Sequence, residues 1–427
     1  MRVDKEIIGE HNDKNVQKHR VLFNSIAEKL DLEGIDVGKL VTEIGKFQVA
    51  IPSWALGTGG TRFGRFPSGG EPRNLEEKLD DVGLLHAINK SSGAISIHIP
   101  WDIPGNTEAI RERAGSLSIK FDAVNSNTFQ DQPVQNKSYK FGSLCHSDPA
   151  VRAQAISHNI EVIHQGMNLG SKAITVWLAD GSNFPGQHNF RKAYENTLGS
   201  LTEIYKHLPE DWELLLEYKP FEPNFYSMVV PDWGTSYSMV NRLGKKAFTL
   251  VDLGHHLPNT NIEQIVSTLM TLGKLGGFHF NDSKFSDDDL TTGSIKPYQL
   301  FLIFNELVYG MNNNISGNPA LAWMIDASHN VKDPLEDLMQ SVEAIKIAYA
   351  QALIVDRYTL ESSREANDVT MAQETLMNAF RTDVRPLLAE ARLRSGAALM
   401  PVKLFRDYRL REQLIRERGL KSIATGL

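Results

Sequence analysis

The sequence predicts an α/β protein built as a (β/α)8 barrel, with helices before the barrel and a helical extension after it. Two observations carry that reading. Eight short, apolar, β-rich runs alternate with amphipathic helical stretches over roughly 280 residues, the pattern of a parallel sheet covered by helices, and eight such units close into a barrel. Polar and charged residues then gather at the C-terminal ends of those runs, the face where such barrels carry their chemistry.

The elements follow in order. Residues from about 13 to 45 read as helix, because apolar residues in LFNSIAEKLDL and VGKLVTEIG recur at near-helical spacing. The expected strands are 47–52, 94–99, 119–125, 173–178, 213–218, 247–252, 277–282 and 322–327. Of the helical segments between them, three open on capping residues, at Asn74, at Ser147-Asp148-Pro149 and at Asn261. Others close on glycine, at Gly170, Gly244 and Gly276. From about residue 332 the strands stop and long helical segments with apolar faces follow. The expected organisation is an N-terminal helical segment over 1–45, a catalytic barrel over 46–331 and a helical extension over 332–427.

Apolar content of 41% and charge of 23% are those of a globular protein in water. No apolar run is long enough to cross a bilayer, and the start, MRVDKEIIGEHNDKN, lacks the basic-then-apolar order of a secretory signal. A cytoplasmic protein with no membrane partner is expected. The single cysteine, Cys145, excludes an intrachain disulfide and a thiolate metal cluster, and reads as a small buried residue. A net charge of −7 argues against a nucleic-acid footprint. The basic residues between Lys403 and Lys421 are interleaved with Asp407, Glu412 and Glu417, which fits a solvated or subunit-contacting helix better than an RNA arm.

Seven side chains at or just past separate strand ends draw attention: Glu217, Asp252, His255, His279, Asp287, Asp289 and Asp326. Taken singly, each has a plain structural reading. Glu217 and Lys219 share a strand face and could form an ion pair, His279 could be a hydrogen-bonded core histidine, and Asp287-Asp288-Asp289 could be a solvated turn. Together they place many carboxylates around one barrel mouth, which is costly without cations. Carboxylates mixed with imidazoles suit hard or borderline divalent ions. Two ions are expected, one held by Glu217, Asp252, His279 and Asp326 from the rigid strand ends. The other is held by His255, Asp287 and Asp289 from the loops, with Asp252 bridging.

The run Glu217-Tyr218-Lys219-Pro220-Phe221-Glu222-Pro223 resembles the E-P-K-P-x-E-P segment of xylose isomerases, and Asp252-Leu253-Gly254-His255 looks like their acid-x-x-His step. A closer resemblance, over almost the whole chain, is to the L-rhamnose isomerases of the Pseudomonas stutzeri type, through PSWALGTGGTRFGRFPSGGEPR, SIHIPWD, NSNTFQD, TVWLADGSNFPGQ, VDLGHHLPNTNIE, KLGGFHFNDSKFSDDDL, MIDASHNV and YAQALIVDR. The resemblance implies a homotetrameric aldose–ketose isomerase of carbohydrate metabolism, interconverting L-rhamnose and L-rhamnulose and accepting L-mannose, L-lyxose and D-allose. It implies the same two ligand sets, filled by Mn²⁺ or by Mg²⁺, Co²⁺ or Zn²⁺, and makes Lys219 the substrate-contacting lysine. The loop VYGMNNNISGNPALAW and the basic tail depart most from the family pattern.

The chemistry expected is a 1,2-hydride shift in an open-chain sugar. Lys219 would hold O1, and a metal-bound water near Asp326 and Asp289 would move the hydroxyl proton. His98 and Asp102 are set as residues that bind or open the sugar ring, and Trp54 and Trp177 as flat walls. The glycine-rich loop from Gly57 to Phe66 lacks the order of a phosphate loop and reads as a lid, with Phe63 or Phe66 over the 6-deoxy end of the sugar. Rival readings are a ketose epimerase, an isomerase of another aldose, an endonuclease, and a non-enzymatic sugar-binding barrel with structural metals.

Overall fold

The computed structural model describes residues 3–57, 66–222, 224–285, 288–313, 323–327 and 331–421. Eight parallel strands close a barrel: β1 (Val49–Pro52), β2 (Ala94–Ile99), β3 (Lys120–Ser126), β4 (Ala173–Val176), β5 (Glu213–Glu217), β6 (Ala247–Asp252), β7 (Leu275–Phe280) and β8 (Trp323–Ile325). They follow one another around the ring, with β1 paired to both β2 and β8. All eight expected runs are strands. The lumen is filled by small and medium side chains, Ala123, Ala173, Leu215 and Leu250 in one cluster and Ala50, Ala94 and Met324 in another. A larger apolar core lies between sheet and helices.

Two N-terminal helices replace the single stretch expected over 13–45. Helix α1 (Lys5–Leu32) starts early because the Asp4 carboxylate accepts from the backbone N–H groups of Glu6 and Ile7. The chain then turns at Gly34, whose φ is +78°, and α2 (Val37–Lys46) restarts on the Asp36 cap. Around the barrel run α3 (Leu75–Asn89), α4 (Thr107–Ser116), α5 (Pro149–Leu169), α6 (Phe190–Lys206), α7 (Trp233–Leu243), α8 (Ile262–Thr271), α9 (Pro297–Asn312) and α10 (Pro334–Leu353). Asn74 and Asp148 cap α3 and α5 through their side chains, whereas Asn261 sits at the start of α8 without a side-chain cap. Gly276 does not close a helix: it lies inside β7, and Gly273, with φ +65°, makes that turn.

Helix α10 packs on α9, α3 and β8. Beyond it, α11 (Arg357–Glu365), α12 (Val369–Arg381) and α13 (Arg385–Arg394) build a second apolar core with α1, α2 and α10. Then α14 (Pro401–Asp407) and α15 (Leu410–Arg418) turn back towards α3. Two basic residues of this tail are tied to the rest of the fold: Arg418 forms a buried bidentate pair with Asp81, at 2.7 and 2.8 Å, and Arg411 Nη2 donates to Asp333 at 2.8 Å. Arg411 and Arg418 also donate to the carbonyls of Gly69 and Gly70. A Cβ at Gly70 would lie 2.7 Å from the α15 backbone, so the close approach requires glycine there. No single helix among the described residues is long and apolar enough to cross a membrane.

Candidate active site

Barrel register brings the strand-end residues together. Asp252 is the cross-strand partner of His279, Met324 pairs with His279 on the other side, and Asp326 follows two residues later. Glu217 ends β5 beside Leu250 of β6. One ligand atom from each of Glu217, Asp252, His279 and Asp326 lies within 4.8 Å of the other three. His279 Nδ1 stands 3.3 Å from Glu217, 3.5 Å from Asp326 and 3.8 Å from Asp252. It is buried and has no hydrogen-bond partner among the described residues.

A buried nitrogen facing three carboxylates at such distances is a donor set for a divalent cation, with three hard oxygens and one borderline nitrogen. The residues present therefore fit a metal ion. Without one, the imidazole takes over the balancing of charge: burial works against its protonation, but Glu217, Asp326 and Asp252 prevail and raise its pKa to about 9. Glu217 is correspondingly held well below the carboxylate range, since the opposing effect of burial is outweighed by His279 and His255. Burial raises Asp252, and together with the neighbouring carboxylates it lifts Asp326 to about 6 against the pull of His279.

His255 joins the cluster from the loop after β6, its Nδ1 3.1 Å from Glu217 and 3.0 Å from the Tyr218 carbonyl. Asp289 is half-buried with φ +47°. It stands beside Leu290, whose backbone bridges to Asp282 across the loop after β7. Asp288 is spent within that loop, accepting from the backbone of Lys284 and Phe285. Asp287, Phe63 and the middle of the glycine-rich loop lie outside the described residues. Phe66 is 64% exposed.

Lys219 is fully buried and pairs with Glu222, not with Glu217. Its Nζ lies 5.1 Å over the Trp177 ring. Trp54 Nε1 donates to Asp326 at 2.9 Å. His98 lies 5.4 Å from Trp54, and burial lowers its pKa to about 3, so the ring is neutral. Asp102 is the other residue expected to bind or open the sugar ring. It is buried, and its oxygens are taken by Lys78 Nζ at 2.6 Å, the Ser53 hydroxyl and the His98 backbone N–H. Its place is behind His98.

No family model matches the chain. A "probable sugar isomerase" of Rhizobium meliloti is 53% identical over 397 residues, covering 93% of this chain and 92% of the relative. The chain belongs to that sugar isomerase family. A second such protein, from Mesorhizobium japonicum, is 51% identical over the same share of this chain, 93%. The xylose isomerase of Thermus thermophilus is 25% identical over 56% of this chain and 64% of its own length. Among solved structures, the 3-keto-D-glucoside 4-epimerase of E. coli superposes with a TM-score of 0.52 at 13% identity, over 70% of this chain and 99% of that one, which shows the shared barrel.

The structure gives three further residues a place at the site. Asn281 donates from Nδ2 to both Asp252 oxygens, at 2.9 and 3.2 Å, and fixes that carboxylate. Phe129 and Trp101 extend the aromatic wall, with ring centroids 5.4 and 4.2 Å from His98, and Phe129 reaches Trp177 at 4.9 Å. Their signal was position alone: each follows a strand end within a few residues.

Proposed function

We propose that this member of the sugar isomerase family interconverts L-rhamnose and L-rhamnulose by a 1,2-hydride shift, and accepts L-mannose, L-lyxose and D-allose as well. The observation that carries the reading is the Glu217–Asp252–His279–Asp326 cluster with the buried Lys219 two residues past the end of the strand that carries Glu217. A cluster of this type holds a cation, and a buried fixed ammonium beside it supplies a second positive charge to a sugar oxygen.

In this reading two divalent ions, Mn²⁺ first, are held by Glu217, Asp252, His279 and Asp326 and by His255, Asp287, Asp289 and the shared Asp252. When bound, such ions polarise adjacent oxygens of an open-chain sugar. Lys219, paired with Glu222 and seated over Trp177, binds O1 and stabilises negative charge growing there. Trp54, Trp101, Phe129 and Trp177 give flat apolar walls that orient the carbon chain and keep water out. Neutral His98, whose Nδ1 has no hydrogen-bond partner among the described residues, serves the ring oxygen of the incoming sugar. Asp326 and Asp289 hold and move the hydroxyl proton between O1 and O2, and Phe66 belongs to the cover over the far end of the sugar. The resemblance to the L-rhamnose isomerases supports a homotetramer in the cytoplasm.

The test is ketose formation from a panel of aldoses by metal-stripped and Mn²⁺-restored protein, with deuterium at C2 of L-rhamnose. Ketose retaining the label at C1 is expected. Full loss of label to solvent would replace the hydride shift with proton exchange, as an epimerase-like reaction requires. No ketose from any aldose would leave a sugar-binding barrel.

A further inference from the structure

Behind the metal-facing edge of His279 the barrel lumen contains a small cavity of about 20 Å³, lined by Asp122, Thr175, Glu213, Gly276, Gly277 and His279 among others. That is room for one water, and the side chains named supply more than the two polar partners such a water needs. Two irregularities in the ladder meet at this cavity. The β2–β3 register slips between Ile95 and Ile97, so one more residue of β3 than of β2 is used there, in the stretch holding Asp122 and Ala123. The β6–β7 register slips between Thr249 and Leu250, at Gly276. A Cβ at Gly276 would come within 2.7 Å of Leu215 and Phe248. Bulges of this kind re-aim side chains next to functional sites. Here one brings the buried Asp122 carboxylate into the lumen, and the other shapes the strand that carries His279.

A metal-binding imidazole uses one ring nitrogen for the ion and gives the N–H of the other to a carboxylate, carbonyl or water, which fixes tautomer and orientation. Nδ1 of His279 faces Glu217, Asp252 and Asp326, which leaves the other edge of the ring for the lumen. We propose that Asp122 is the positioning residue for His279, acting through a water held in this cavity between the Asp122 carboxylate and the His279 Nε2–H. The proposal rests on the metal reading of the cluster.

Mn²⁺ affinity of the full-length chain, read by the EPR signal of free Mn²⁺, tests it without reference to activity. Asp122→Ala is expected to weaken Mn²⁺ binding by about tenfold or more, the usual effect of removing such a partner. Asp122→Asn, which keeps an acceptor of the same shape, is expected to retain most of the affinity and guards against a failure of the alanine variant to fold. In a His279→Asn background the further loss from Asp122→Ala should fall below about twofold, because a residue acting through the imidazole has nothing left to act on. Equal losses in both backgrounds, or folded Asp122→Ala with unchanged affinity, would overturn the proposal. If the unmodified chain takes up no Mn²⁺, the metal reading itself falls, and the two failures are told apart by that control.

Discussion

Trp54 donates its indole N–H to Asp326 across 2.9 Å, joining the turn after the first barrel strand to the residue just past the last. The bond spans the seam where β1 meets β8 and reaches directly into the carboxylate cluster. Trp54→Phe keeps an aromatic wall but removes the donor. A hydrogen bond to a charged group contributes about 1.5–3 kcal/mol, so kcat/KM for ketose formation should fall about ten- to a hundredfold. Steady-state kinetics at saturating Mn²⁺ checks this, and an unchanged kcat/KM would refute it.

Lys219 and Glu222 form a buried pair, and removing one partner of such a pair costs about 3–5 kcal/mol. Lys219→Met should lose that much stability in urea unfolding and nearly all ketose formation. Adding Glu222→Gln removes the counter-charge and should restore part of the stability, with activity still absent. Recovery of activity in the double variant would show that the lysine has no part in the reaction.

Lys78 pairs with Asp102 away from solvent, and Asp102 in turn holds the backbone of His98. Lys78→Met should destabilise the fold by about 3–5 kcal/mol, and Lys78→Met with Asp102→Asn should be markedly more stable than the single variant. Urea midpoints of the single and double variants decide it; equal midpoints would mean the pair is not coupled.

In the metal-free chain the pKa of His279 is raised from 6.5 to about 9. A raised folded-state pKa gives stability that is fully present below about 6.5 and lost as pH rises through about 9. Urea midpoints in chelator should therefore decline between those limits, and His279→Asn should flatten the decline. Over the same window Mn²⁺ affinity should rise, because the ion displaces the imidazole proton.

Much of this architecture was legible because its signals are local. Runs such as AISIHI and AFTLVD announce buried strands by themselves, and the polar residue ending each falls at the catalytic face by topology alone. The Glu217, Asp252, His279 and Asp326 grouping needed only the eightfold order to be foreseen. The pairing of Asp102 was not legible because its partner, Lys78, lies 24 residues earlier, one charge among several in NLEEKLDD, and nothing local marks it as buried. The break at Gly34 was missed because apolar spacing continues on both sides of it, while the positive φ that ends α1 leaves no mark on periodicity. Asn281 lies just past a strand end, but its service to Asp252 depends on the register between β6 and β7, which composition does not encode.

The buried pair between Asp81 and Arg418 has a consequence for synthesis of the chain. The two residues are 337 positions apart, so at about 5–20 residues per second the ribosome delivers the arginine roughly 20–70 s after the aspartate. All eight strands have by then been made, yet the Arg418–Asp81 pair and the packing of α15 on Gly69 and Gly70 are still to form. A nascent barrel can thus close its sheet early and still lack the α15 contacts at the base of the glycine-rich loop, which gives α15 the part of a latch set after the barrel.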